Sequence, residues 1–323
     1  MIVCRAPFRV SFLGGGTDYP EWYSQHGGAV LSAAINRYCW VTVRRLRPFF
    51  DDKTRVIWNQ IEHVAQNKDI SHRNIRAVLQ YFNIDTGVEV FYSNDLPSHS
   101  GLGTSSSLTV GLLLALSTLK GAPIDMSALA NVAVFVERDM LHETVGMQDQ
   151  LAAAYGGFNR IDISYAGKVV VQPQPLVFQL EDHLLLVYTG NPRDASKVAT
   201  KHVAQIETGL ANEKMNQIME LVTVGQKLLM REDFKAFGEL IHESWMLKRS
   251  ISPDISTEAI DEIYGRARHA GAWGGKLCGA GGGGFMLLVA PPSRHVAIMN
   301  ALPGLKSVPV VFETKGAVAK CVF

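Results

Sequence analysis

Pro97-Ser-His-Ser-Gly-Leu-Gly-Thr-Ser-Ser-Ser107 runs directly into Leu108-Thr-Val-Gly-Leu-Leu-Leu-Ala-Leu-Ser-Thr-Leu119, and this junction decides how the chain is organised. Glycines 101 and 103 let the backbone approach an anion, and the hydroxyls at 104 to 107 can meet phosphate, Mg²⁺ or exposed helix donors. The apolar run behind them suits a central helix despite Gly111, whose helix cost is about 1 kcal/mol. Loop and helix then form one anion-facing unit. A Ser/Thr-capped helix accounts for part of this pattern, but not for glycines and hydroxyls occurring together. Upstream, Val88-Glu-Val-Phe-Tyr-Ser93 reads as the strand that delivers the chain into the loop. Pro97, Ser100, Gly101, Leu102, Gly103, Thr104, Ser105 and Ser106 are therefore the residues expected at a nucleotide. The loop lacks the Gly-Lys-Ser/Thr ending of a Walker A motif.

A second run, Gly271-Ala-Trp-Gly-Gly-Lys-Leu-Cys-Gly-Ala-Gly-Gly-Gly-Gly284, holds eight glycines, too many for a single turn. Two roles stand side by side: close packing of chain segments, or approach of a phosphate or of the first loop to bare backbone. Gly281 and Gly282 are placed on the substrate side of the second role. Gly275-Lys276 is followed by Leu277, so it supplies no Walker ending either.

The whole chain, 323 residues with 47% hydrophobic and 19% charged side chains, is globular and long enough for two packed units. A net charge of +1 gives no global electrostatic case for nucleic acid. Arginines 5 and 9 interrupt what a secretory signal would need as its apolar core, and no run is long enough to span a bilayer, so a cytoplasmic protein without a membrane partner is expected. The four cysteines, at 4, 39, 278 and 321, lack zinc or disulfide spacing and read as reduced thiols.

Strand patterns occupy Val3 to Phe12, Tyr38 to Arg44, Ile161 to Tyr165, Val169 to Val171, Leu184 to Tyr188 and Phe285 to Ala290, with further candidates at 308–312 and 317–323. Val30 to Ile35 fits a buried helix or strand. Helices are expected at Met126 to Met140 with Asp125 as cap, at Leu151 to Tyr155 with Asp149 near its start, across much of 195–247, and at 255–270. Two linked α+β units result, with a boundary near residue 165 and a cleft between them.

Glu137 can supply a carboxylate to Mg²⁺, and Asp149 can orient or deprotonate a substrate hydroxyl. Arg9 can neutralise transferring phosphate or hold Asp149, and Asp18 can bond sugar hydroxyls; either can instead brace the Gly14-Gly-Gly-Thr turn. The histidines, His202 among them, form no metal motif and read as structural or surface residues.

Arg5-Ala-Pro-Phe-Arg-Val-Ser-Phe-Leu-Gly-Gly-Gly-Thr-Asp-Tyr19, the Pro97 loop and the Gly271–Gly284 run, in that order, resemble the GHMP small-molecule kinase family. The resemblance implies an α+β, two-domain fold: an S5-like N-terminal domain over 1–165 and a ferredoxin-like C-terminal domain over 166–323. It implies ATP and Mg²⁺ as cofactors, Ser105 and Glu137 at the metal, Asp149 as the substrate-activating acid with Arg9 beside it, and Asp18, with Thr17, at the sugar. Gly14-Gly-Gly-Thr-Asp-Tyr19 and Glu243-Ser-Trp-Met-Leu-Lys-Arg-Ser-Ile-Ser252 are most similar to members that phosphorylate the anomeric hydroxyl of D-glycero-D-manno-heptose 7-phosphate. Gly15-Gly16 stand where galactokinase-like members carry Glu-His. A phosphorylated sugar would need a distal cationic pocket, for which Arg193, Lys197, Lys248 and Arg249 are candidates; each also fits a solvated charged surface. A C1 kinase for fucose or galactose, a noncatalytic nucleotide-binding regulator, and a homo-oligomer all stay open.

Overall fold

The structure, a computed structural model, describes residues 1–47, 49, 54–98, 100–175, 177–190 and 195–322. The chain runs β1 (Ile2–Leu13), α1 (Pro20–His26), β2 (Gly28–Arg45), β3 (Thr54–Ile57), β4 (Ile61–Val64), α2 (Arg73–Tyr81), β5 (Val88–Asn94), α3 (Thr104–Lys120), α4 (Met126–Phe135), α5 (Gln148–Tyr155), β6 (Phe158–Ile163) and β7 (Val169–Pro173). It continues through α6 (Phe178–Glu181), β8 (Leu184–Tyr188), α7 (Ala195–Glu207), α8 (Asn212–Met230), α9 (Phe234–Arg249), α10 (Glu258–His269), β9 (Gly274–Leu277), β10 (Phe285–Val289), α11 (His295–Ala301), β11 (Lys306–Val308) and β12 (Val318–Cys321).

The first sheet has the order β12-β1-β2-β5-β3-β4, with β6 bridging β2 and β7. All its pairings are antiparallel except β3 with β5. Val30 to Ile35 resolves as strand, within one β2 whose first eight residues are buried. That run is buried throughout because α3, α5 and α8 all pack on β2, so no apolar–polar alternation marks it. Across the sheet lies α3, apolar all round, and Gly111 brings it close: a Cβ there would stand 3.4 Å from both Ala6 Cβ and Val41 Cγ2. The propensity cost of this glycine is offset by close packing.

The second sheet is antiparallel in the order β11-β8-β10-β9. Counted along the chain this is 4-1-3-2, with helices between its first and second and its third and fourth strands, which is the ferredoxin-like arrangement expected. The expected boundary at 165 needs correction. The 164–168 turn folds β7 back on β6, pairing Ile163 with Val169 through Asn159 with Pro173, and β12 returns to pair with β1. The N-terminal sheet therefore holds the chain to Pro173 and recovers it at Val318. Among the described residues, no helix is long and apolar enough to cross a membrane.

Candidate active site

Gly103, at φ +75°, ends the first glycine loop and starts α3, whose N-terminus no side chain caps. The first-turn N–H groups of a helix lack intrahelical acceptors and carry the positive end of its dipole. Here they face a cleft of about 260 Å³ lined by Gly101, Gly103, Thr104, Ser105 and Ser106. The second glycine run forms the opposing edge through Gly279 and Ala280. The loops touch: a Cβ on Gly101 would stand 2.4 Å from Cys278 O, one on Gly279 would stand 2.7 Å from Gly101 Cα, and Phe285 N–H donates to Ser100 O at 3.0 Å. Close packing of the two loops is thus one role of the run. Gly281 and Gly282, expected at the substrate, pack instead on Ile255, whose carbonyl accepts from Gly282 N–H at 3.0 Å. Pro97 is exposed, Leu102 is core, and Ser100 is buried; none lines the cleft.

Arg9, on β1, is 4% exposed and holds Asp149 with both arms, Nε to Oδ1 at 2.8 Å and Nη2 to Oδ2 at 2.7 Å. Its Nη1 donates to Gly101 O at 2.6 Å, so one guanidinium ties the acid to the glycine loop. Gly103 stays bare beside them, since a Cβ there would meet Asp149 Oδ2 at 3.2 Å. Burial pushes the Asp149 carboxyl above its usual range, against the pull of Arg9. Asp18 lines the same cleft, but its carboxylate is committed to the chain: Oδ2 accepts from Met147 and Gln148 N–H at 2.9 and 3.1 Å, and Oδ1 from Gly16 N–H at 3.1 Å. It braces the start of α5, which carries Asp149, so most of its accepting capacity is used within the chain. Thr17, expected at the sugar, is fully buried and does not line the cleft: its hydroxyl shares one proton between Gly14 O and Ala29 O, 2.8 Å each, and accepts from Ala29 N–H at 3.0 Å.

Glu137 sits in a π-helical turn, Val136–Met140, that extends α4 where one continuous α-helix was expected. Its Oε2 accepts from Ser106 Oγ at 2.8 Å and Gln150 Nε2 at 2.5 Å, while Oε1 is buried without a partner. Burial pushes its carboxyl up to about 7. Ser105, paired with Glu137 in expectation, is exposed and accepts from Asn74 Nδ2 at 3.3 Å; Ser106 is the serine on the carboxylate. Glu137 lines the cleft, and its buried, partnerless Oε1 suits Mg²⁺, which takes one or two carboxylates and completes its shell with phosphate and water. Among the described residues, no three acidic, histidine or cysteine side chains cluster as a self-sufficient metal cage.

Lys248 lines the cleft, 8% exposed, with Nζ on Gly279 O at 2.7 Å, and burial pulls it down to about 8. Lys276, unassigned by sequence reasoning, lines it too: 4% exposed, on Phe12 O at 3.3 Å, pulled down to about 7 by burial and the neighbouring Lys248. A signal existed, because Lys276 is the sole charge in the 271–284 run. Arg249 turns the other way, onto Asp261. Lys197 is exposed on α7 and does not line the cleft, and Arg193 lies outside the described residues. His202, read as structural, stands in the cleft wall at 3% exposure with neither ring nitrogen bonded. Its place on the apolar stripe of Val198, Ala199, Val203 and Ile206 was the available clue.

Two family models match in tandem: GHMP kinases N terminal domain over residues 69–157 and GHMP kinases C terminal over 226–304, together just over half of the chain. The chain belongs to the GHMP kinase family. It is similar to the D-glycero-alpha-D-manno-heptose 7-phosphate kinase of Campylobacter jejuni, 28% identical over 311 residues and 92% of each chain. The structure of a D-glycero-D-manno-heptose 1-phosphate kinase from Bacteroides thetaiotaomicron is similar over 100% of both chains, at TM-score 0.82 and 25% identity. Galactokinase from Lactococcus lactis shares the fold at TM-score 0.77 and 19% identity, over 98% of this chain and 95% of that one. GHMP-kinase-type phosphorylation of a small molecule follows for this chain, and the cleft between the two glycine loops is where the geometry concentrates the chemistry for it.

Proposed function

We propose that the protein transfers the ATP γ-phosphate to the anomeric O1 of D-glycero-D-manno-heptose 7-phosphate, giving ADP and the 1,7-bisphosphate. The observation that carries this reading is the Arg9–Asp149 pair set against the uncapped N-terminus of α3 in one cleft, which also holds two buried lysines bonded to carbonyls alone. The α3 N-terminus and Gly101–Ser106 cradle the nucleotide phosphates, where fixed N–H dipoles stabilise charge without reorganising. Glu137 and Ser106, with Ser105 at the mouth, would hold Mg²⁺, which when bound offsets charge on the transferring phosphate.

Asp149 orients the O1 hydroxyl and accepts its proton as O1 bonds to phosphorus and the bond to ADP breaks; solvent then takes the proton. Arg9 fixes the direction of the acid. Because burial raises the Asp149 carboxyl, it is a better acceptor than an exposed aspartate. Lys248 and Lys276 supply positive charge for an acceptor that already bears a phosphate. Purified protein with ATP-Mg²⁺ and heptose 7-phosphate, heptose 1-phosphate, unphosphorylated heptose, fucose, galactose and mevalonate tests this, with products assigned by mass and NMR. Selective formation of the 1,7-bisphosphate from the 7-phosphate is expected; preference for another acceptor, or binding without transfer, overturns it.

A further inference from the structure

His202, on α7, lines the same cleft as Asp149 and the first glycine loop. Its ring is 3% exposed, and both Nδ1 and Nε2 are buried without a hydrogen-bond partner. Such atoms pay for desolvation and gain nothing in the empty protein, so they mark a place where a ligand completes the bonding. The ring is held from two sides. Gly16 gives it room, since a Cβ there would stand 2.9 Å from Nε2, and the Tyr19 ring lies 6.1 Å away, centroid to centroid, tilted at 51°.

The imidazole is also uncharged. Burial and the nearby Lys248 pull its pKa down to about 3, so at neutral pH it presents one N–H donor and one bare acceptor. That pair does not suit a phosphate, which needs donors only and already has Lys248 and Lys276. It suits hydroxyls, each of which can both give and receive. The same cleft holds two more buried, unpartnered polar atoms, Ser11 Oγ and Gln148 Oε1, on its N-terminal side, and both residues border Gly15, whose Cβ would stand 3.3 Å from Ser11 Oγ and 3.7 Å from Gln148 Nε2.

We infer that His202 is a specificity-determining residue that reads hydroxyls of the polyhydroxylated acceptor through its two ring nitrogens, from the C-terminal wall of the cleft. This rests on the kinase reading above but not on the heptose.

The test compares wild type, His202→Phe and His202→Gln on the acceptor that wild type uses best and on its epimers and deoxy analogues. His202→Phe keeps a flat ring against Tyr19 and Gly16, and His202→Gln keeps a donor and an acceptor. The expected result is at least about a tenfold rise in acceptor KM for His202→Phe and a collapse of its discrimination against deoxy analogues, with partial recovery in His202→Gln. ATP KM and the ATP-induced thermal shift should stay within about twofold, showing an intact nucleotide cradle. If His202→Phe keeps the wild-type acceptor KM and analogue ratios, the ring only packs and the inference falls. If neither substitution folds, the deoxy analogues with wild type decide: no hydroxyl whose removal raises KM tenfold also overturns it. A wild type that prefers a different sugar refutes the heptose reading while leaving the His202 comparison to be made on that sugar; one that phosphorylates no acceptor defeats both.

Discussion

Asp149→Asn isolates the chemical role of the acid from its structural one. The amide keeps the shape but loses the charge and one of the two acceptors that Arg9 holds at 2.8 and 2.7 Å. If Asp149 orients O1 and takes its proton, kcat should fall by about 10²–10⁴, or about 2.7–5.4 kcal/mol of barrier. Stability should fall as well. Arg9, 4% exposed, keeps its charge with Gly101 O as remaining partner, and breaking a buried pair costs about 3–5 kcal/mol. The low end applies, because Asp149 is 25% exposed and water can reach the gap. A coupled ADP-release assay gives kcat, and thermal shift with and without ATP-Mg²⁺ gives folding and nucleotide binding separately. The ATP-induced shift should survive, since the loop and α3 are untouched. The pH profile adds a sign. Transfer needs the ionised carboxylate, so the wild-type rate should fall as pH drops through the raised Asp149 pKa, and Asp149→Asn should lose that acid limb. A variant turning over within about threefold of wild type, with its acid limb unchanged, would refute the assignment.

In the proposed role Glu137 would hold Mg²⁺ in its ionised form, and burial raises its carboxyl to about 7. Mg²⁺ affinity, measured by titrating the ATP-dependent thermal shift, should therefore rise up to about tenfold per pH unit toward about 7 and flatten above, a slope that Glu137→Gln abolishes. The same proton stabilises the fold below the unfolded carboxylate range, and its contribution should fade as pH rises to about 7. Lys276→Met should raise KM for a phosphorylated acceptor at least about tenfold while sparing its unphosphorylated counterpart; the wild-type preference should weaken as pH rises through about 7, where the free lysine loses its proton. Gly146→Ala would drive a Cβ to 1.7 Å from Asp18 Oδ2, expelling the carboxylate from the start of α5; a stability loss of about 0.5–2 kcal/mol, as for a lost helix cap, and a lowered kcat are expected from denaturant melts and turnover.

Much of this was legible in the sequence because it is local. The Gly101-Leu-Gly-Thr junction states its own chemistry: bare backbone, then donors, then an apolar helix, and α3 begins at Thr104 as the hydroxyls imply. Asp149 at a helix start and Arg9 on an early strand were legible as chemical types, and folding brings together residues 140 positions apart. What could not be read was whether a polar group is already spent. Thr17 looks free for a sugar in one dimension, yet backbone groups consume its hydroxyl in three, and they use much of the Asp18 carboxylate too. Lys276 was masked for the opposite reason. Glycines on both sides suggested loop, whereas β9 is a strand pressed so closely under α9 that a Cβ on Gly274 would meet Gly238 O at 1.8 Å. A helical lysine pair at 248 and 249 carries no sequence mark saying which ammonium turns inward; the register of α9 sends Lys248 to the cleft and Arg249 to Asp261.

The arrangement of charge explains why the cleft needs both domains. Arg9, Asp18, Glu137 and Asp149 come from the N-terminal sheet and its helices, while Lys248, Lys276 and His202 come from the C-terminal helices and sheet. Three buried cations and four carboxylates, Glu143 among them, line the space; Arg9 and Asp149 form an ion pair, while Lys248 and Lys276 are bonded to backbone carbonyls. Asp18 accepts from backbone N–H groups, burial favours the protonated Glu137, and the two lysines lean toward losing their protons. Shifts of this kind lower the cost of unpaired buried charge. In the proposed reaction, anionic phosphates would favour the charged lysines and a cation the ionised Glu137, so the substrates would complete the electrostatic field for transfer.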